Sequence, residues 1–557
     1  MKLKFPKKFR FYFTFTVALC LILNIVLVTQ VQGFNNTTSD RTVPLLNNLG
    51  KHHHEITTSS QVAQQYFDQG LMFIYGFNHK EAYLSFQEAT KLDPNCAICY
   101  AGMALALGPN INAPMDEKAM PTAYETIEKA HQLSKNASAK EQAYIEALRQ
   151  RYSPQPVDDR SSFDLAYANA MKEVVKQYPD DLDAATLYAE ALMDLMPWNY
   201  WLEGGEPKPE TKEIVATLES VLAKNPQHPG ATHYYIHAVE ASNQPEKAEA
   251  AADNLRDTVP GSGHLVHMPS HIYLRIGRYH DAALANEKAM KSDEIYLANT
   301  QEKGIYSALY YPHNIHFFWS AASMEGRSQD AIAAARKLVN KVSNSQIQGF
   351  PWSEIFLPSP YFSLVQFRQW DEMLTEPKPP EEFTYTNVMW HYGRGMAWVG
   401  KEQLDKAVIE EKAMSQLLSD KSLEKIEATG VPATQLINIA DELLKGNVST
   451  LKGEKEQAIA HYQTAVKLQD NLPYMEPPYW YYPTRYSLAT ALFQQGKFTE
   501  AEAVYRQDLQ QHPHNGWSLF GLAETLKAQG KTDEIMTIEK EFKDAWKHAE
   551  FELSLSN

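Results

Sequence analysis

A spacing of 34 residues constrains this chain more than any other feature. From Ala63 onwards, Tyr66, Gly70, Phe73, Ala82, Phe86, Ala89 and Pro94 fall at positions 4, 8, 11, 20, 24, 27 and 32 of one unit. The set returns from Pro229 (Ala248, Ala252, Leu255, Pro260) and from Gly263 (Ser270, Tyr273, Ala282, Ala289). It recurs near Ile439 (Gly446, Ala458, Tyr462, Ala465) and near Tyr482 (Ala489, Leu492, Ala501, Tyr505, Pro513). Fainter copies cover 97–132, 166–192, 312–338 and 516–530. Small residues at fixed positions let two helices approach closely, and neither helix can bury its apolar stripe without the next unit. With 557 residues, the chain is too long for one compact core, and a repeat array accounts for that length.

These positions resemble those of the tetratricopeptide repeat (TPR) superfamily. The resemblance implies an all-α fold, a superhelix (α-solenoid) of helix-turn-helix units with inserted loops. The first helix of each unit, helix A, would line the concave groove. Pro-rich interruptions at 107–120, 198–212, 350–361 and 377–382 read as insertions or groove lids. The expected organisation is a signal peptide or membrane anchor at 1–33, a polar linker at 34–61 and N-terminal repeats at 62–228. His-rich repeats follow at 229–345, a loop-rich insertion at 346–386 and C-terminal repeats at 387–557. The strings HPGATHYYIHAVEAS, GHLVHMPSHIYLRIGRYHDA, DPNCAICYAGMALALGPN and EPPYWYYPTRYSLATAL further resemble a group of exported bacterial TPR proteins. That likeness implies a shared histidine site and no particular reaction.

The N-terminus carries Lys2, Lys4, Lys7, Lys8 and Arg10 before an apolar run at 11–28, the pattern of export or of an anchor. Periplasmic or secreted placement is expected, with membrane contact only through that run. A net charge of -16 and the absence of a basic stripe exclude nucleic acid as a general partner. Cys96 and Cys99 form a C-x-x-C pair suited to a local disulfide, and Tyr100 stands where c-type haem attachment needs histidine, so no haem is expected. His52, His53 and His54 read as part of a solvated linker, and His228 and His280 as surface residues.

Eight of the 19 histidines lie between His233 and His316. His233 and His237 occupy positions 5 and 9 of one unit, His267 and His271 the same positions of the next, and His316 position 5 of a third. His264 and His313 share position 2, and Glu240 takes position 12. Spacings of three and four place these positions on one helix face, which the resemblance assigns to the groove. His233, His237, Glu240, His264, His267, His271, His313 and His316 are therefore the expected metal ligands. Imidazole-rich ligation favours copper, with iron or zinc as alternatives. Pro269, at position 7, interrupts its helix and could leave His264 and His267 on a loop. Tyr234, Tyr235, Tyr273, Trp319, His391, Trp480 and Arg485 are the candidate pocket residues.

Three functions fit the sequence. One is a copper- or iron-dependent oxidoreductase acting on a small molecule. Another is an envelope scaffold whose groove binds a peptide or protein. The third is metal storage or delivery without catalysis.

Overall fold

The structure is a computed structural model that describes residues 43–555 except 203, 301, 303, 343–346 and 348. The expected signal or anchor and the first part of the linker, 34–42, lie outside the described residues. Among the described residues there are helices, two isolated bridges and no β-strand. No helix among them is long and apolar enough to cross a membrane. The chain divides into two compact units. Among the described residues, one comprises 43–272 and 287–311, and the other 273–286 and 312–555. This division differs from the sequence-based boundaries because it cuts within the His-rich stretch at 229–345.

The first unit begins with α1 (Gln61–Tyr75), α2 (His79–Leu92), α3 (Ala97–Ala106), α4 (Met120–Leu133) and α5 (Ala139–Arg149). It continues through α6 (Ser161–Gln177), α7 (Leu182–Asp194), α8 (Pro209–Lys224), α9 (Pro229–Val239), α10 (Glu249–Leu255) and α11 (Gly263–His267). Sequential helices pack as hairpins, as the period requires. The reason for small residues at position 8 is visible in the packing. A Cβ on Gly70 of α1 or on Gly102 of α3 would lie 2.6 Å from the Phe86 ring of α2, so the glycines admit this aromatic from both sides. Cys96 and Cys99 form a disulfide at the start of α3.

Two features draw distant parts of this unit together. Helix α9 packs on α1 as well as on α8. A Cβ on Gly230 would come within 2.4 Å of the Tyr75 ring, so glycine is what permits that approach. Residues 43–60 are not the solvated linker expected from composition: they are strapped onto the repeats. Val43 accepts a hydrogen bond from Tyr66 Oη (2.7 Å), Leu46 N–H donates to Gln69 Oε1 (2.8 Å), and Thr57 N–H donates to Glu141 Oε1 (2.7 Å).

The chain continues through α12 (Pro269–Arg275), α13 (Tyr279–Thr300), a π-helical turn (Tyr306–Tyr310) and α14 (Tyr311–Met324). The second unit then adds α15 (Ser328–Val339), α16 (Ser359–Gln366), α17 (Trp370–Thr375), α18 (Thr384–Gly400), α19 (Leu404–Leu417) and α20 (Leu423–Glu427). It ends with α21 (Ala433–Lys452), α22 (Lys455–Asp470), α23 (Arg485–Gln494), α24 (Phe498–Gln511), α25 (Gly516–Gln529) and α26 (Thr532–Ala545). The same packing rule operates here: a Cβ on Gly446 would lie 2.6 Å from the Tyr462 ring, and one on Gly521 would lie 2.2 Å from that of Tyr505.

Candidate metal centre

The first unit gathers five histidines and one carboxylate from α9 and α11–α12. His233 and His237 project from α9, Glu240 follows that helix as its C-cap, His264 and His267 lie on α11, and His271 lies on α12. Pro269 does break the helix, but after His267, so His264 and His267 are helical and not on a loop. Ser262 accepts from Leu265 N–H to cap α11. All six residues are at most 3% exposed. The ligand atoms of His233, His237 and His264 lie within 4.8 Å of one another.

Hydrogen bonds at Nδ1 decide which nitrogens can bind a cation. Glu240 receives His237 Nδ1–H at Oε1 (2.7 Å) and His271 Nδ1–H at Oε2 (2.6 Å). His233 Nδ1–H donates to the Tyr75 carbonyl (2.6 Å). Ser270 sends its one hydroxyl hydrogen to the His267 carbonyl (2.7 Å), so its Oγ accepts from His267 Nδ1–H (3.2 Å). In its neutral form each of these four rings therefore carries its lone pair on Nε2. His267 and His271 point their Nε2 atoms at each other across 2.9 Å. His233 Nε2 and His264 Nε2 are 3.1 Å apart. His237 Nε2 is buried without a partner. Anchored Nδ1 atoms with converging Nε2 atoms are the arrangement by which proteins orient metal-binding imidazoles. Tetrahedral ligation at about 2.0–2.1 Å would separate two nitrogens by roughly 3.3 Å, close to both facing pairs.

Electrostatics agree with a cation. Burial, reinforced by the His237 imidazole, holds His233 far below its usual pKa, so it is neutral and able to ligate. Burial also lowers His237, while its bond to Glu240 works in the other direction. Burial pushes the Glu240 carboxyl up, but His271 and His237 outweigh that effect and hold it below the ordinary carboxylate range.

Aromatic side chains wall the cluster. The Phe77 ring lies 4.5 Å from His233, 5.7 Å from His264 and 6.0 Å from His237, centroid to centroid. Trp198 meets His237 edge-on at 4.9 Å, and Tyr310, on the π-helical turn, meets His264 at 4.7 Å. Tyr234 stacks on Phe77 at 5.7 Å, behind the cluster. Tyr235 is not a pocket residue: its hydroxyl donates to Glu219 on α8 (2.8 Å).

A second group of histidines, absent from the sequence-based site, surrounds Asp183 on α7. Its carboxylate accepts from His52 Nε2 (2.9 Å), His54 Nδ1 (2.7 Å), His228 Nε2 (3.2 Å) and Tyr75 Oη (2.5 Å). His228 is thus buried, not a surface residue. Its Nδ1 accepts from Ala231 N–H (3.1 Å) at the start of α9, which fixes the proton on Nε2 and leaves that nitrogen no lone pair for a metal. The residues that join Asp183 to the strap are the same histidines that composition assigned to solvent.

The second unit carries His313, His316 and the remaining pocket candidates. His313 meets the Phe317 ring at 4.8 Å. His316 stacks on Trp319 at 5.3 Å and lines a cavity of about 20 Å³ with Trp319, Phe362 and Tyr479. Burial there lowers its pKa to about 3. Trp319 Nε1–H donates to Ser363 (2.6 Å), and His391 Nδ1 pairs with Glu410 (2.7 Å). Tyr273 lies under the Arg278 guanidinium, 4.3 Å from its ring centre. Trp480 packs among Phe362, Tyr392 and Tyr481. Arg485 is no pocket residue, because both its Nη atoms bind the Asp470 carboxylate at 2.6 Å and tie α22 to α23. His280 pairs with Glu325 (3.1 Å) and stacks on His548.

Residues 485–534, covering α23, α24 and α25, match the family model described as tetratricopeptide repeat. The chain carries a tetratricopeptide repeat. Solved structures with similar helical arrays include a human IFIT1 dimer with m7Gppp-AAAA, at 12% identity over 88% of this chain and 91% of that one, with a TM-score of 0.32. Yeast Tom70 matches at 13% identity over 87% and 92%, with a TM-score of 0.26. At these scores neither likeness bears on what this chain binds. No curated protein matches it.

Proposed function

We propose that this protein is a metal-dependent oxidoreductase whose five-histidine cluster holds a transition-metal centre, copper ahead of iron or zinc. The observation that carries the reading is the facing pair His267 Nε2 and His271 Nε2, two buried imidazole nitrogens 2.9 Å apart, close enough to share one cation. Five imidazoles without a thiolate suit copper best, since Glu240 is engaged by two Nδ1–H groups. Grouping as His233, His237 and His264 beside His267 and His271 suits two ions. The substrate would be a small molecule admitted to the aromatic wall. Export is part of the proposal, and the Cys96–Cys99 disulfide supports it, because such bonds persist in oxidising compartments.

The test is the metal content of the purified protein after exposure to copper, iron and zinc, compared with a His237→Ala, His271→Ala double variant. Stoichiometric metal in the wild type, lost in the variant, is expected. Absence of all three metals from the wild type overturns the proposal. Oxygen consumption with added reductants then separates turnover from storage or delivery. The repeat at 485–534 favours a second reading, a groove that binds a peptide or protein. A tight peptide partner for the metal-free protein would support it.

A further inference from the structure

Two bulky residues near the cluster hold a backbone conformation that L-residues rarely adopt. Phe77 has φ 55° and Trp198 has φ 61°. Left-handed backbone is strained for such side chains, and this strain collects at ligand clamps and functional sites. Both rings touch His237, at 6.0 and 4.9 Å between centroids. They differ in freedom. Phe77 is 3% exposed, and its turn is closed by Phe77 N–H to Ile74 O (3.0 Å) and Asn78 N–H to Phe73 O (2.9 Å). Trp198 is 45% exposed.

The loop around Trp198 is nevertheless fixed. Trp201 Nε1–H donates to Ala238 O on α9 (2.9 Å), and Lys208 N–H to Tyr200 O (3.1 Å). Thr211 Oγ1–H also donates to Tyr200 O (2.5 Å), and Asn243 Nδ2–H donates to Gly204 O (3.2 Å). With its backbone pinned on the C-terminal side, the tryptophan can move by turning its own ring. The His237 ring that it meets edge-on carries a buried Nε2 without a hydrogen-bond partner.

We infer that Trp198 is a size-selecting gate over His237, swinging against the fixed wall of Phe77, and that it decides which small ligands reach the His237 nitrogen. The inference deepens the proposed metal function, but its test needs no metal. Metal-free protein is treated with diethyl pyrocarbonate, which acylates an accessible imidazole nitrogen, and modification of His237 is followed by peptide-resolved mass spectrometry. Trp198→Gly removes the ring and suits the left-handed backbone. It should speed acylation of His237 by at least about tenfold, the equivalent of about 1.4 kcal/mol. Trp198→Phe, the conservative variant, should fall between the two. Equal rates in all three proteins, each with unchanged circular dichroism, overturn the gate. The metal content of the wild type is a separate readout. A protein that takes up no metal yet shows Trp198-dependent acylation keeps the gate and loses the metal reading.

Discussion

Replacing Glu240 by glutamine should weaken metal binding through a change of tautomer, without removing any nitrogen from the cluster. The carboxylate receives two Nδ1–H groups, from His237 at 2.7 Å and His271 at 2.6 Å. Glutamine offers one oxygen and one NH₂ in the same space, so only one imidazole keeps its acceptor. The other ring must accept from the amide at Nδ1 and carry its proton on Nε2, where it no longer binds a metal. If that ring is His271, its new Nε2–H faces His267 Nε2 across 2.9 Å and satisfies the pair without any cation. Loss of such an orienting partner lowers metal affinity by about 10- to 100-fold, or about 1.4–2.7 kcal/mol. Competition titration of Glu240→Gln against a chromophoric chelator, with far-ultraviolet circular dichroism as the folding control, measures the change. Equal affinities in wild type and variant would refute the tautomer argument. A loss far beyond 100-fold would refute it differently, by making Glu240 a direct ligand.

Other perturbations test the surrounding framework. Burial lowers the folded-state pKa of His316 from 6.5 to about 3; the unfolded chain therefore takes up the proton first, and stability falls as pH drops from about 6.5 towards 3, by about 1.4 kcal/mol per unit. Denaturant titrations across this range should lose that share of their slope in His316→Phe. Asp183→Asn leaves four former donors with one acceptor oxygen, so it should cost more than about 2 kcal/mol and hasten tryptic cleavage at Lys51, in the strap. Gly102→Ala drives a methyl to 2.6 Å from the Phe86 ring and should cost about 1–3 kcal/mol in thermal unfolding, whereas Gly204→Ala, with open space around it, should change little.

The helices and the histidine register could be read from sequence because both depend on spacing along one helix. Positions 5 and 9 of successive units did bring His233, His237, His267 and His271 together in the first unit, with His264 and Glu240 beside them. What orients those rings was not legible. The Tyr75 carbonyl lies 158 residues from His233, and Ser270 reads in sequence only as a small packing residue. The left-handed backbones of Phe77 and Trp198 leave no compositional trace, since glycine or asparagine usually marks such conformations. The strap reads as a linker because a run of histidines among polar residues carries no sign of Asp183, 129 residues from His54. Arg485 misleads for the opposite reason. An arginine in an aromatic segment looks available to a ligand, but its partner is Asp470, one helix earlier.

The contact of α9 with α1 sets this array apart from an open stack of repeats, in which each unit meets only its neighbours and stability is a sum along one dimension. Here Gly230 against Tyr75 and the strap to Asp183 close a loop spanning some hundred and fifty residues. Deleting or inserting one hairpin inside that loop, a change that open solenoids tolerate, would pull His233 away from the carbonyl that sets its tautomer. The first unit should therefore fold, and unfold, as a single cooperative block. No shorter set of its repeats would carry the histidine cluster intact.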